Sequence, residues 1–438
     1  MDKKAVRAWV MYDWANSAFA IIIMTAIMPI FYADVAGKGL NGSTTTALWG
    51  YTQSLGTLLV VLLSPILGAI ADKAHSKKKF LAFFTYMGVI ATLLMWFIGE
   101  GQWVLASFLV ILGTLAFSGG NVFYDAFLSD LVPEEKRDMV SSQGYAAGYI
   151  GGGLILILDL AMISYPQAFL LPGKLFATQL SFALVGIWWL VFSIPFFRHV
   201  REKGSSGAVD WKNVKALARE GFESVKQTLM EIGRYPELLK FLIAFWFFSD
   251  GIDTIVKMAA IYGREVGVGQ NDLILALVIT QFVGIPCTLL FGRIAENLGA
   301  MRTLIITLMV YLFITILAYF MNSAFDFYLL AILVGFVQGG SQALARSIFS
   351  RLVPPDRNAE FFGFFGLSGK LASLLGPFVF GFVSQLTGTS RLGIVSIALF
   401  FLAGIIILQF VDLEKGRVQA LANSKKIPLD PGGPGVIG

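Results

Sequence analysis

Twelve long apolar runs, set between charged or Gly/Pro-marked breaks, decide what this chain can become. A helix that crosses a bilayer needs about 20 mostly apolar residues, since in hydrocarbon the backbone must satisfy its own hydrogen bonds. The runs fall near 8–34, 45–71, 79–99, 103–131, 140–164, 176–197, 238–262, 272–297, 301–321, 325–352, 361–386 and 391–411. Charged residues make up 14% of the 438, against roughly 25% in an average soluble domain. Too little charge remains to coat a water-soluble globule, which excludes a soluble enzyme, a disordered chain and a fibre. The expected fold class is an all-α polytopic membrane protein with 12 transmembrane helices.

The runs divide into a six-helix half over 1–197 and a second over 238–412. Residues 198–237 form a polar linker, and 413–438 read as a disordered tail. Within the linker Val214, Leu217, Ala218, Phe222, Val225, Leu229 and Ile232 recur at helical spacing among charges, which predicts a helix lying on the membrane surface. Lys and Arg sort to one face: three at the N-terminus, four in the 2–3 loop, two in the 4–5 loop and nine around the linker. Two more lie in each of the 8–9 and 10–11 loops, and four in the tail. The other face holds only Lys38, Lys174, Arg264 and Arg391. Both termini are therefore expected in the cytoplasm, as an even number of spans requires. Lys3, Lys4 and Arg7 before the first run resemble the n-region of a signal peptide. The run itself is too long for one and carries Asp13 and Asn16, so no cleavage is expected.

The two halves echo one another. Leu131-Val132-Pro133 closes span 4 and Leu352-Val353-Pro354 closes span 10, 221 residues later, and Gly119 falls on Gly340 at the same offset. Gly68-Ala-Ile-Ala-Asp72 recurs as Gly292-Arg-Ile-Ala-Glu296. Tyr12 to Ser17 is loosely repeated by Ser249 to Thr254. Parallel six-span repeats place a transport site near the membrane midplane, between the halves.

Gly68-Ala-Ile-Ala-Asp72-Lys73 followed by Lys77-Lys78-Lys79 resembles the 2–3 loop signature of the major facilitator superfamily, departing from it at His75 and Ser76. Tyr12-Asp-Trp-Ala-Asn-Ser-Ala-Phe19, Tyr124-Asp-Ala-Phe-Leu128, Asp250-Gly-Ile-Asp-Thr-Ile255, Gln338-Gly-Gly-Ser-Gln-Ala-Leu-Ala-Arg-Ser347 and Ala359-Glu360-Phe361-Phe362-Gly363 are more specific. Together they resemble the UMF1 branch, to which the fungal vacuolar amino-acid effluxer Atg22 is similar. Asp125 and Asp253 stand where that pattern has Asn and Gln, and both add negative charge. The resemblance implies a major-facilitator fold of two six-helix parallel repeats, with spans 1, 4, 7 and 10 lining a cavity.

An ionised side chain at the bilayer centre costs about 2.5–3.5 kcal/mol on insertion scales, so it needs a partner or a wet cavity. Span 4 sets Ser118, Asn121 and Asp125 on one helical face, and span 10 sets Gln338, Gln342 and Arg346 at successive four-residue steps. Asp125 and Arg346 are symmetry mates, 221 residues apart. One reading has Arg346 clamping a substrate carboxylate and Asp125 receiving its ammonium; the other has the two residues bridging the halves directly. Asn16 and Ser17 of span 1 complete the candidate substrate contacts. In span 7, Asp253 and Lys257 are spaced to pair along the helix, which leaves Asp250 less compensated. Asp250 and its counterpart Asp13, with Asp253 and Lys257, are the candidates for proton coupling. Asp13 has an alternative reading, as a residue in the wet headgroup zone. Histidine is absent from the spans, His75 and His199 lying in basic loops.

Asp72, Lys73, Asp130 and Arg351 form a candidate cytoplasmic gate, Asp130 and Arg351 again being 221 residues apart; the resemblance implies a gating role for this loop. Gly144, Gly148 and Gly152 make a small-residue seam for close helix approach in span 5. No Gly-x4-Gly-Lys-[Ser/Thr] motif binds ATP, and the single Cys287 gives no disulfide framework. No catalytic, metal or cofactor site and no nucleic-acid partner are expected. The expected function is secondary transport of a small zwitterion, plausibly an amino acid, by a monomer that alternates access and couples to protons. A bacterial-type inner (plasma) membrane fits it best, with a degradative organelle as the alternative. Two other functions stay open: an amphiphile or lysolipid flippase of the same fold, and a non-transporting membrane sensor or scaffold.

Overall fold

A computed structural model of the chain describes residues 2–73, 77–132, 134–202, 230–354 and 358–424, with residues 219, 223, 226 and 227. The first half contains α1 (Lys3–Ala36), α2 (Gly42–Lys73), α3 (Lys77–Leu94), α4 (Trp103–Leu131), α5 (Glu134–Ser164) and α6 (Lys174–His199). The second contains α7 (Pro236–Glu265), α8 (Gln270–Leu298), α9 (Ala300–Phe320), α10 (Ala324–Leu352), α11 (Asn358–Ala372), α12 (Leu375–Thr387) and α13 (Ser390–Leu408). A short helix, α14 (Leu413–Ser424), follows. Ten helical stretches among the described residues are long and apolar enough to cross a membrane. α7 has 30 residues, but carries Asp250, Asp253 and Lys257 in its middle.

The internal repeat is visible in the packing. α1 packs on α5 and α6, α2 and α3 pack on α4, and α3 packs on α6. Helix for helix, α7 packs on α11 and α13, α8 and α9 on α10, and α9 on α13. Between the halves, α2 meets α12, α11 and α7, and α5 meets α8. The glycine seam of span 5 does what its spacing predicts: a Cβ on Gly144 would meet the Trp9 ring at 3.0 Å, and one on Gly152 the Ser17 carbonyl at 3.3 Å. Bare backbone lets α1 and α5 touch, and close packing is what holds helices together where no water is displaced.

Two details depart from the sequence reading. Span 11 is not continuous: α11 ends at Ala372 and α12 begins at Leu375. Pro377 explains the break, since it lacks an N–H and its ring excludes the preceding turn. The tail is not disordered from residue 413. Asp412 caps α14 by accepting the Lys415 N–H at 3.0 Å, and Gly416 lets the helix close on Leu352 and Glu237. The expected surface helix of the linker lies largely outside the described residues. Within α1, π turns at Ala20–Ala26 precede Pro29, whose missing donor loosens the hydrogen-bond ladder there.

Candidate functional site

The halves are joined at the face away from the termini. Arg264 at the end of α7 bonds Asp34 at the end of α1 through Nε at 2.5 Å. Glu265 accepts from the Thr46 hydroxyl of α2 and from both the amide and hydroxyl of Ser390. Deeper along the seam, the Trp49 indole donates to the Lys257 carbonyl (3.1 Å), Tyr51 donates to Gln385 (2.7 Å) and Ser54 donates to the Leu374 carbonyl (3.0 Å). Gly50 and Gly381 sit where α2 and α12 touch; a Cβ on Gly381 would lie 2.9 Å from the Ala47 carbonyl.

Toward the terminus-bearing face the polar stripes of α4 and α10 are open. Tyr124 and Phe127 are buried, Tyr124 stacking on Trp9 at 4.5 Å while its carbonyl accepts the Trp9 indole N–H (3.0 Å), so Asp125 between them points the other way and is exposed. Gln342 and Arg346 are exposed on α10, whereas the buried positions Leu344, Ala345 and Ile348 are apolar. A polar exposed stripe in an apolar helix marks a water-filled vestibule, because lipid-facing positions carry apolar side chains. The lipid-facing type is seen at Leu329 and Ile332 of the same helix.

Asp125 and Arg346 form no ion pair, so the direct bridge between them is not made in this conformation. The charge acting on Asp125 from the second half is that of Lys370 on α11, with Asp13 opposing it from α1. Lys370 was not among the expected site residues. Asn16 is buried and donates to Asn121 Oδ1 at 2.7 Å, which fixes α1 against α4. Ser17 packs against Gly148 of α5 rather than on the cavity. Gln338 is half-buried and borders a cavity of about 90 Å³ lined mainly by the second half, with Gln281, Thr280, Thr315, Tyr262 and, from the α1 π turn, Thr25 among otherwise apolar walls.

The α7 acids and lysine are arranged differently from the expected pairing. Lys257 makes no ion pair with Asp253; its ammonium reaches the Ser373 carbonyl at the end of α11 (3.4 Å) and the Thr57 hydroxyl of α2 (3.5 Å). The broken span offers backbone carbonyls that a continuous helix would have used itself, and they compete with the carboxylate. Asp250 is not the less compensated acid: it is buried and accepts the Gly376 N–H in the first turn of α12 at 2.8 Å. Its charge type suits the positive end of a half-helix, as the ammonium suits the negative end of α11. Its other oxygen, Oδ1, is buried without a hydrogen bond.

The gate pairing also differs. Asp130 bonds Lys77 at 3.0 Å within the first half, one residue before its own helix ends, and Arg351 stands exposed on the other half. With the terminus-bearing face open, a neighbour in the same half is in reach and the symmetry mate is not. The side chains of Asp72 and Lys73 lie outside the described residues. Sequence reasoning missed Asp34, Glu265, Thr57, Lys370 and Asp159, the last fully buried in α5. Arg264 was in view as one of four cations on the charge-poor face, and that scarcity was the available signal.

Comparison with known proteins bears on the fold and family. The family profile described as "Vacuole effluxer Atg22 like" matches residues 39–421. An "Uncharacterized MFS-type transporter YxiO" of Bacillus subtilis (strain 168) is 39% identical, covering 97% of this chain and 99% of its own. Autophagy-related protein 22 of Kluyveromyces lactis is 22% identical over 95% of both chains. Among solved structures, an inward-facing, unoccupied bacterial homologue of the human lysosomal transporter Spinster superposes with a TM-score of 0.66. It is 15% identical and covers 96% of this chain and 99% of its own. That likeness places the architecture among the major-facilitator folds.

Proposed function

This chain belongs to the Atg22-like vacuole effluxer family and is a membrane transporter of the major-facilitator fold, and on that premise we propose that it carries a small zwitterion, an amino acid, by proton-linked alternating access. One observation carries the reading. The halves are clasped at one face by Asp34 and Arg264, while Asp125 of one half and Arg346 of the other are exposed toward the opposite face. An exposed carboxylate on one half and an exposed guanidinium on the other suit a cargo with both an ammonium and a carboxylate, the guanidinium offering a bidentate fork. Lys370 gives the carboxylate a second cationic neighbour on the second half.

With the termini in the cytoplasm, an orientation that the distribution of Lys and Arg supports, and the protein in a plasma membrane, the conformation is inward-open. The protein works as a monomer, each half rocking about the seam. Asp13 and Asp250 are the groups proposed to carry the coupling proton, and the unbonded Oδ1 of Asp250 supports a protonated oxygen there. Asp253 and Lys257 take part through their charge. Asp130, Arg351, Asp72 and Lys73 are proposed to meet across the cytoplasmic mouth when it closes.

Counterflow of labelled amino acids into proteoliposomes, with and without a pH gradient, tests the reading on wild type and Arg346→Ala. Uptake by the wild type that falls at least tenfold in the variant is expected. Equal flux in both would remove Arg346 from the site, and uptake of no amino acid would move the amphiphile reading ahead.

A further inference from the structure

We propose that Lys257 is the tether that keeps the face away from the termini shut, and that opening this face transfers its ammonium from the break in span 11 to Asp253 on its own helix. The proposal rests on the reading that the protein alternates between two open states; it does not depend on what the cargo is.

An ammonium in the middle of a transmembrane helix must find oxygen partners. Those of Lys257 come from two other helices. Ser373 presents its carbonyl at the negative end of α11, and Thr57 presents its hydroxyl from the opposite half. The backbone of the same residue is held as well, its carbonyl accepting the Trp49 indole of α2 at 3.1 Å. One residue of α7 is thus gripped from the other half at both its main chain and its side-chain tip. Nearby, Ser54 of α2 takes up the Leu374 carbonyl, and Asp250 takes up the Gly376 amide. The two-residue gap in span 11 is wired on one side to α2 and on the other to α7.

The grip on the ammonium is weak by distance. Contacts of 3.4 and 3.5 Å are well outside the roughly 2.7–2.9 Å of a strong charge-assisted bond. An alternative acceptor is at hand. Asp253, one turn back on α7, is half-buried and makes no ion pair among the described residues, and its i, i+4 spacing puts it on the same helix face as Lys257. Asp250 is committed to α12. Among the described residues of α2 and α11, the groups that reach the ammonium are neutral, Thr57 and the Ser373 carbonyl. Lys257 therefore has two discrete placements. On the gap it ties α7, α11 and α2 together across both halves; on Asp253 it is satisfied within one helix and the tie is gone. A switch between two discrete arrangements is the kind of element that large rearrangements are built from.

Lys257 is a positioning residue on this account, and its test reads conformation rather than transport. Spin labels at Leu40→Cys and Leu386→Cys, both exposed on the face away from the termini, report its opening in a Cys287→Ser background in lipid nanodiscs. Wild type should show mainly the short distance. Lys257→Gln should raise the long-distance population at least threefold, Thr57→Val should raise it less, and Lys257→Arg should restore the wild-type distribution. Asp253→Asn, which removes the alternative acceptor, should lower that population. Wild-type distributions in both Lys257→Gln and Thr57→Val would overturn the proposal, as would opening in Asp253→Asn. If Lys257→Gln does not fold, the Thr57 and Asp253 variants decide the matter between them.

Discussion

Arg264 and Asp34 clasp the far ends of α7 and α1 at 2.5 Å, and no other ion pair among the described residues joins the two halves. Both side chains are about a third exposed, so solvent screens the attraction and an exposed pair is worth only about 0.2–1 kcal/mol. Losing it should shift the open-to-shut ratio of that face by about 1.4- to fivefold. Arg264→Ala and Asp34→Ala are expected to raise labelling of cysteines under the seam, and the charge swap Asp34→Arg with Arg264→Asp should restore protection. Additive effects of the two alanines in a double-mutant cycle would show that the pair does not act as a unit.

Asp250 caps a half-helix, and that decides which substitution is informative. Asp250→Ala leaves the Gly376 N–H unpaired and should lower stability by about 1 kcal/mol, the usual cost of losing an N-cap. Asp250→Asn keeps an acceptor oxygen on the same amide and should fold normally. If Asp250 carries the coupling proton, the asparagine variant loses pH-driven accumulation while retaining exchange. Unchanged accumulation would restrict the residue to its capping role.

Gly381 should not tolerate a methyl group. A Cβ there meets the carbonyl and Cα of Ala47 at 2.9 and 3.2 Å, and backbone cannot swing aside as a long side chain can. Gly381→Ala is expected to hold α2 and α12 apart, favouring the state open at the face away from the termini and slowing net transport. Cysteine accessibility from that face, measured alongside counterflow, checks this; full activity with a shut seam would contradict it.

Glu237 gives a pH dependence outside the membrane-spanning part. Burial by itself would push its carboxyl up, but the Lys240 hydrogen bond, the Asp412 N–H and the charges of Lys240 and Lys415 together hold it below the usual range. A carboxylate with a depressed folded-state value contributes stability above its unfolded value, near pH 4.3, and loses it as the pH falls through the folded value. Docking of α14 should therefore be constant from neutral pH to about 5 and weaken below about 4. Amide exchange in α14 across that range measures it, and Glu237→Gln should remove most of the dependence. A flat profile in the wild type would rule out Glu237 as the anchor.

The spans, the repeat and the family were legible because apolar length and recurring motifs are properties of the chain itself. Partner choice was not. Spacing put Lys257 beside Asp253, and the structure sends it to the end of α11, because a break in another helix supplied a competing acceptor. That break had a local signal in Gly376-Pro377, which a reading by apolar length passes over. Asp130 and Arg351 were matched by symmetry, but Asp130 takes Lys77, a nearer cation in its own half. Ser17 and Asn16 sit in the right span, yet the helix turn directs one at α5 and ties the other to Asn121. Lys370 was not assigned to the cavity, since no motif marks it.

Because span 11 is two rods with a joint, bending at Ser373 and Leu374 transmits little torque from α11 to α12. The lower rod can follow whatever happens around Lys370 and Asp125 at the open mouth while the upper one stays seated on α2. Freed backbone groups at the joint already have partners on α2 and α7, so flexing there leaves no bare amide or carbonyl facing acyl chains. A change around Lys370 and Asp125 is thereby separable from the contact that seats α12 on α2.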